Sequence, residues 1–303
     1  MLISNILKEM NYIGQYRIIR EREFQYLALA ESDIGYSTCV FLDSSKYIDS
    51  ISRSVSMVLT TEEMVPMFTE KPFGLCVVES PRDLYFKIHN FLSNKDSYKR
   101  KQFQTRIGVN CQISPLACIA TNNVVIGDNV VIEEFVVVRE DTNIGDNSIV
   151  RAGCIIGGQG FEFKRDNNSI YSVAHAGGVR IGSNVEIQHN TCVDRAVYPW
   201  DDTVIGDYCK IDNLVHIAHG AKLDSNIMVV ANSGIGGRTI IKEGAWIGFG
   251  ATIKNGIVVG RNARANMGSV VSREIPDNGS VTGNFAIEHS KFLQNLKKKL
   301  KED

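Results

Sequence analysis

The sequence predicts a mainly β protein. Its greater part is a parallel β-helix of hexapeptide repeats, with a small α/β domain before it and a short helix after it. Three observations predict this. Aliphatic residues recur every six positions through the second half of the chain, no such period appears before about residue 105, and the segment 284–303 ends in FLQNLKKKLKED. These features divide the chain into 1–104, 105–283 and 284–303.

The periodicity is the strongest signal. Ile205, Ile211, Ile217, Leu223, Val229, Ile235, Ile241, Ile247, Ile253 and Val259 stand six apart. Ile181, Ile187 and Val193 keep the same phase, and Pro199 breaks the series. Ile126, Ile132, Val138, Ile144, Val150 and Ile156 repeat it upstream, and Ile107, Ile113 and Ile119 precede them one residue out of phase. A period of six is neither helical nor simple alternation. It matches one flat side and one corner of a β-helix, three of which close a coil of about 18 residues. Residues 18 apart should therefore sit above one another, at the strand spacing of about 4.8 Å. The small residues Val130, Val136, Thr142, Ser148, Cys154, Val185, Thr191 and Cys209 should point inward, and IGDN or IGDY should form corners. Cys111, Cys154 and Cys209 read as packing groups rather than redox groups. The flat sides of such a solenoid need neighbours to cover them.

The first hundred residues have a different grammar. CVFL, SVSMVLT and GLCVVE read as strands, and Ser80-Pro81 before RDLYFKIHNFL reads as an N-cap and first-turn proline. Thr60 with Glu63 suggests a capping box. SNKDSYKRKQ, 93–102, reads as a polar linker.

Composition removes several classes of function. The formal net charge of −1 gives no electrostatic case for nucleic acid as a partner. No run of 18 apolar residues suggests a membrane span, and the N-terminus lacks the apolar block of a signal peptide. Seven cysteines at irregular spacing, with no C-x-x-C, fit a reducing cytoplasm.

The chemistry concentrates in IDNLVHIAHG, 211–220, which carries His216 and His219. If Ile217 points inward, His219 faces out near a corner, and His216 ends the preceding side. One coil above His219 stands Gly237, whose backbone N–H has no side chain to cover it. A base beside a bare backbone donor suits acyl transfer: the imidazole takes a proton from the attacking group, and the N–H stabilises the oxyanion. No G-x-S-x-G or reactive-cysteine setting is present, so direct transfer from a thioester is expected. Zinc is the competing reading. Gamma-class carbonic anhydrases use a histidine pair spaced H-x4-H plus a distant third. Here the spacing is H-x2-H; His175 or His189 could supply a third ligand in principle, but no spacing supports it, so no metal is expected. A non-catalytic interaction scaffold is the other alternative.

GGVRIGSNVEIQHNTCVDR and DDTVIGDYCKIDNLVHIAHG resemble the core of the UDP-3-O-acylglucosamine N-acyltransferases of lipid A synthesis and of related N-acyltransferases acting on nucleotide-linked amino sugars. The resemblance runs from about residue 35 to 285. It implies a left-handed β-helix and a homotrimer with active sites between subunits. It implies His219 as catalytic base, Asp212 as a residue that orients or stabilises that base, and Gly237 as oxyanion donor. Asn213 and His216 of the same motif are expected on the substrate or acyl group. CVFLDSSKY matches the family's nucleotide-base clamp, with Phe41, Lys46 and Tyr47 at the same spacing. GGQGFEFKRDNNSIY resembles the family's G-F-G-F-A loop beside sugar and acyl chain, which implicates Phe161 and Phe163. His175 in AHAGG matches a P-H-x-G-G variant, and Arg273 in GSVVSREIPD resembles the coenzyme A end of hexapeptide acetyltransferases.

Three departures shape the expectation. Ile257 in KNGIVVG replaces a second family histidine, DRAVYPWDDT changes the length of a corner and adds Trp200, and the C-terminal helix is short. They point to an N-acyltransferase that uses acyl-CoA on a UDP- or dTDP-linked amino sugar, with no cofactor. The alternative is the lipid A enzyme itself, acylating UDP-3-O-acylglucosamine from acyl carrier protein.

Overall fold

A computed structural model describes residues 1–68, 70–166, 169–283 and 285–302. The N-terminal unit runs α1 (Ile3–Glu9), β1 (Tyr16–Arg20), β2 (Tyr26–Leu27), β3 (Thr38–Leu42), β4 (Val55–Thr60), β5 (Gly74–Val78) and α2 (Pro81–Leu92). Its sheet has the order β1-β5-β4-β3-β2, parallel except for β1 against β5. Pro81 opens α2, although the Ser80 side chain makes no capping bond. Leu84, Tyr85, Ile88 and Leu92 form the buried stripe of α2 at helical spacing.

Two local expectations fail here. Thr60 does not cap a helix: it ends β4, and its hydroxyl donates to the Leu42 carbonyl across the sheet at 2.9 Å. The segment 93–102 is not a loose linker. Tyr98 is buried, Lys95 pairs with Glu9, and Arg100 donates to the carbonyls of Pro199 and Asp201. Its hydrophilic residues hide a buried tyrosine and a cation bound to backbone.

From Arg106 to Val281 the chain is a parallel β-helix, with three sheets of nine, eight and eight strands. The aliphatic ladder is its interior: Ile181 pairs with Ile205, Ile205 with Leu223, Leu223 with Ile241, and Ile241 with Val259. All five belong to one buried cluster. The small inward residues are buried too, except Cys111, which is half-buried in the first coil with no coil before it. All seven cysteines are free.

The corners work differently from expectation. The left-handed residue is the third after most of the aliphatics, as at Asn147, Asn184, Asn226 and Gly256. Asparagine and glycine tolerate that conformation best. The glycine directly after the aliphatic serves close approach instead: a Cβ on Gly206 would stand 2.6 Å from the Asp224 carbonyl carbon in the next coil.

Two excursions interrupt the stacking. Ile156 pairs with Val193 rather than with residue 174, because the chain leaves the coil after Gly158, returns at Gly178, and forms a small hairpin of Phe163–Arg165 and Ile170–Ser172 in between. Val193 pairs with Ile217 rather than with residue 211, because one extra six-residue length bulges out around Pro199. Pro199 is therefore not one defective side. It lies in an inserted corner loop whose length preserves the phase.

Both excursions complete the N-terminal core. Val173, Val197 and Tyr198 are buried in the same cluster as Leu84 and Tyr85. The Tyr85 hydroxyl donates to the Ala28 carbonyl and lies 3.1 Å from the Tyr198 hydroxyl, Trp200 stacks on Tyr198 at 5.3 Å, and its indole N–H donates to the Leu27 carbonyl. His89 Nε2–H donates to the Ala174 carbonyl. Among the described residues no helix is long and apolar enough to cross a membrane.

Tyr198 is thus the keystone between the two units. Replacing this buried ring in Tyr198→Ala should cost about 3–5 kcal/mol, the usual range for deleting a core aromatic. Calorimetry should show a lowered melting temperature, and proteolysis should cut first within 93–102; an unchanged melt would contradict this.

Candidate active site

His216 and His219 flank one corner. The strand His216–Ile217 directs Ile217 inward and His216 outward, so His216 shares the side with Ile217 and does not end the preceding one. The chain then turns through Ala218 and His219 to Gly220, which takes a positive φ of 71°. Both histidines line one cavity of about 380 Å³, together with Phe161, Glu162, Asp194, Gly237 and Arg238.

The stacking rule places Gly237 directly over His219. Arg238 N–H donates to the His219 carbonyl at 3.0 Å, and a Cβ on Gly237 would lie 2.8 Å from His219 Cε1 and 2.9 Å from Nε2. Only glycine leaves the imidazole this position. Among the described residues the Gly237 N–H has no recorded acceptor, in contrast to Gly236 and Arg238 on either side.

The first excursion roofs the corner. His219 Nε2–H donates to Glu162 Oε2 at 3.2 Å, with the side chains 12% and 14% exposed. Lys164 pairs with the other oxygen of Glu162. Burial works to raise the Glu162 pKa, but the hydrogen bonds from His219 and Lys164 outweigh it and hold the carboxyl at about 2. His175 packs edge-on against His219 at 5.5 Å, and its Nδ1–H donates to the Val173 carbonyl. Burial, with His219 nearby, lowers the His175 pKa to about 4. His216 Nε2–H donates to Asp194 Oδ2 at 2.8 Å, which raises the His216 pKa.

Asp212 does not orient His219 within the chain. Its Oδ1 accepts from the Asn213 backbone and side-chain amides, and its Oδ2 accepts from Ala231 N–H at 3.1 Å. It faces a separate hollow of about 300 Å³ with Lys210 and Met228, on the neighbouring side of the prism. Asn213 turns away from the histidine cavity and accepts from His189. The carboxylate beside His219 is Glu162, which the sequence reading passed over between its two phenylalanines. Asp194, the partner of His216, was missed as well. Both stand far from the histidines in sequence, and only the excursion and the stacking bring them in.

The remaining candidates lie apart from the corner or at its rim. Phe161 is 85% exposed and contacts Phe163 at 4.8 Å between ring centres. Phe41 packs on Tyr85 and Phe86, and the Arg82 guanidinium covers its ring at 5.2 Å. Tyr47 is exposed in a short 3₁₀ turn, with the Lys46 ammonium 5.1 Å from its ring. A cleft of about 460 Å³ runs between Asp43 and Arg82 on one side and Phe163 and Lys164 on the other. Arg273 is exposed near the end of the solenoid. Ile257 is buried inward, one residue after Gly256 at the cavity wall. Among the described residues no group of three or more His, Cys, Asp or Glu is arranged to hold a metal ion.

The sign of one pH effect follows from His175. Its pKa is depressed in the fold, so the unfolded chain binds more protons between about pH 6.5 and about pH 4. Stability should fall as pH drops through that window, and His175→Asn should flatten the fall in urea melts taken from pH 7 to pH 4. A variant as acid-sensitive as the parent would contradict this.

Comparison with known proteins places these features. The bacterial transferase hexapeptide (six repeats) family pattern matches residues 123–158. UDP-3-O-acylglucosamine N-acyltransferase 2 of Legionella pneumophila is 48% identical over 92 residues, 30% of this chain and 26% of that protein. The UDP-3-O-acylglucosamine N-acyltransferase of Rickettsia akari is 45% identical over 92 residues, with the same coverage. The chain thus spans about a quarter of the length of the curated relatives it matches. Among solved structures, UDP-N-acetylglucosamine acyltransferase from Campylobacter jejuni superposes with a TM-score of 0.52 and 27% identity, covering 59% of this chain and 68% of that one. The chain is a hexapeptide-repeat β-helix protein, similar over 30% of its length to UDP-3-O-acylglucosamine N-acyltransferases.

Proposed function

We propose that this protein is an N-acyltransferase that moves an acyl group from a thioester to the amino group of a UDP-linked amino sugar. The observation that carries the reading is His219 in a walled cavity with Gly237 one coil above it. The amine attacks the thioester carbonyl as His219 takes its proton. The Gly237 N–H stabilises the carbonyl oxygen as it becomes an oxyanion. The C–S bond then breaks, and the leaving thiolate takes up the proton. The cleft between Arg82 and Lys164 supports a nucleotide reaching from the Phe41 and Tyr47 region towards Phe161 and Phe163.

The names of the similar proteins favour UDP-3-O-acylglucosamine as acceptor, and the family resemblance then adds acyl carrier protein as donor. Acyl-CoA with another UDP- or dTDP-linked amino sugar is the second reading; it draws on Ile257 in place of a histidine and on exposed Arg273. We place the enzyme in a homotrimer. Exposed Ile155, Met228, Ile240, Phe249 and Val270 on the solenoid support covered sides, and a neighbouring copy would bring Asp212 to the edge of a shared site. The seven free cysteines are in keeping with a reducing cytoplasm.

Free-thiol release tests the reading, with 3-hydroxyacyl carrier protein, acetyl-CoA and 3-hydroxybutyryl-CoA as donors. UDP-3-O-acylglucosamine and a panel of UDP- and dTDP-amino sugars serve as acceptors. Release that depends on one acceptor identifies the pair, and silence with every pair would refute an acyltransferase. With the active pair, His219→Ala should lower kcat by roughly two to four orders of magnitude. Gly237→Ala drives a methyl into the imidazole and should cost about two to three orders, the scale of a lost oxyanion donor. Near-parental rates in either variant would sink the assigned roles.

A further inference from the structure

The His219 ring is fixed from one side by a residue that the repeat does not supply. Glu162 belongs to the excursion at 159–177, and its carboxylate is held between His219 Nε2 and the Lys164 ammonium. Lys164 in turn lies 4.3 Å from the centre of the Phe86 ring in α2, so the N-terminal unit braces the arrangement. The other groups facing the imidazole are accounted for. His175 meets it edge-on, Asp194 is taken by His216, Gly237 closes the next coil, and the Arg238 guanidinium sits over the Tyr198 ring at 5.9 Å. Among the described residues Glu162 is the carboxylate recorded within ion-pair distance of His219.

We propose that Glu162 is the positioning residue for His219: it accepts the hydrogen bond of Nε2–H, holds the imidazole in one tautomer, and fixes the ring beside Gly237. The inference rests on the acyl-transfer reading above. An ionised carboxylate accepts hydrogen bonds only, so the ring nitrogen facing it must carry the proton. Glu162 is ionised because His219 and Lys164 together outweigh its burial. The Nδ1 atom is buried with no partner among the described residues, so the bond to Glu162 is what fixes the ring's orientation. When His219 becomes an imidazolium, the same carboxylate stabilises the new charge. The G-F-E-F of this chain places glutamate where the resembling loop pattern G-F-G-F-A has glycine, so the device belongs to this sequence rather than to the repeat.

Two readouts on Glu162→Gly, Glu162→Gln and the parent test it. The first is kcat and KM against pH with the active donor and acceptor. Glu162→Gly should lose roughly tenfold to a hundredfold in kcat with KM little changed. Glu162→Gln should lose less, because its amide oxygen still accepts from Nε2–H. The second is ¹⁵N NMR of the His219 ring, which needs no turnover. The parent should carry the proton on Nε2, and Glu162→Gly should show a tautomer mixture. An unchanged or raised kcat in Glu162→Gly, or a parent ring protonated on Nδ1, overturns the proposal. The stated tautomer pattern without transfer to any acceptor upholds the positioning role and removes the acyl-transfer reading instead.

Discussion

Everything in this molecule depends on the spacing of parallel backbone hydrogen bonds between coils. Each side is a strand only two to four residues long, with almost no stability of its own. Stacking gives each strand partners above and below, and it brings the inward aliphatics into contact at the same fixed rise. The solenoid is therefore rigid where it is regular. It can deliver a backbone N–H to within one strand spacing of a side chain from the coil below, and the Gly237–His219 pair uses this property.

Regularity alone makes no pocket. A prism with flat sides has corners and shallow grooves, and His219 on such a corner would be open to water. The excursion at 159–177 covers the corner with Glu162 and His175 and leaves Phe161 at the rim. The same segment ends in Val173, which is sealed into the N-terminal core. One loop thus ties the α/β unit to the chemistry: its hydrophobic end is anchored, and its charged end meets the imidazole. The rim carries Phe161 and the cleft below Arg82, where the walls are open enough for a large substrate.

How much of this was legible in the sequence follows from which forces are periodic. The core positions were readable because inward packing repeats every sixth residue, and the pairing of Ile217 with Ile235 then placed Gly237 over His219. The pairing of Glu162 with His219 was not readable, since it depends on the path of an irregular loop. Asp212 illustrates the opposite difficulty. It sits in the same motif as His219, yet the corner between them turns its carboxylate to another side of the prism. Nearness in sequence is a poor guide to nearness in space wherever the chain rounds a corner. The polar stretch 93–102 misleads for a related reason, since Arg100 finds its partners in a loop a hundred residues away and Tyr98 packs on Tyr26 and His89.

The insertion around Pro199 has a consequence for reading solenoids in general. It adds one repeat length without adding a side, so Val193 and Ile205 remain in phase although a loop separates them. A periodogram is blind to such an event, just as a clock that has run one full turn fast still shows the right time. Coil counts taken from repeat phase are therefore upper bounds, and the surplus residues are where architecture has been exchanged for shape. In this chain that surplus carries Tyr198 and Trp200, the residues that fasten a second unit to the helix.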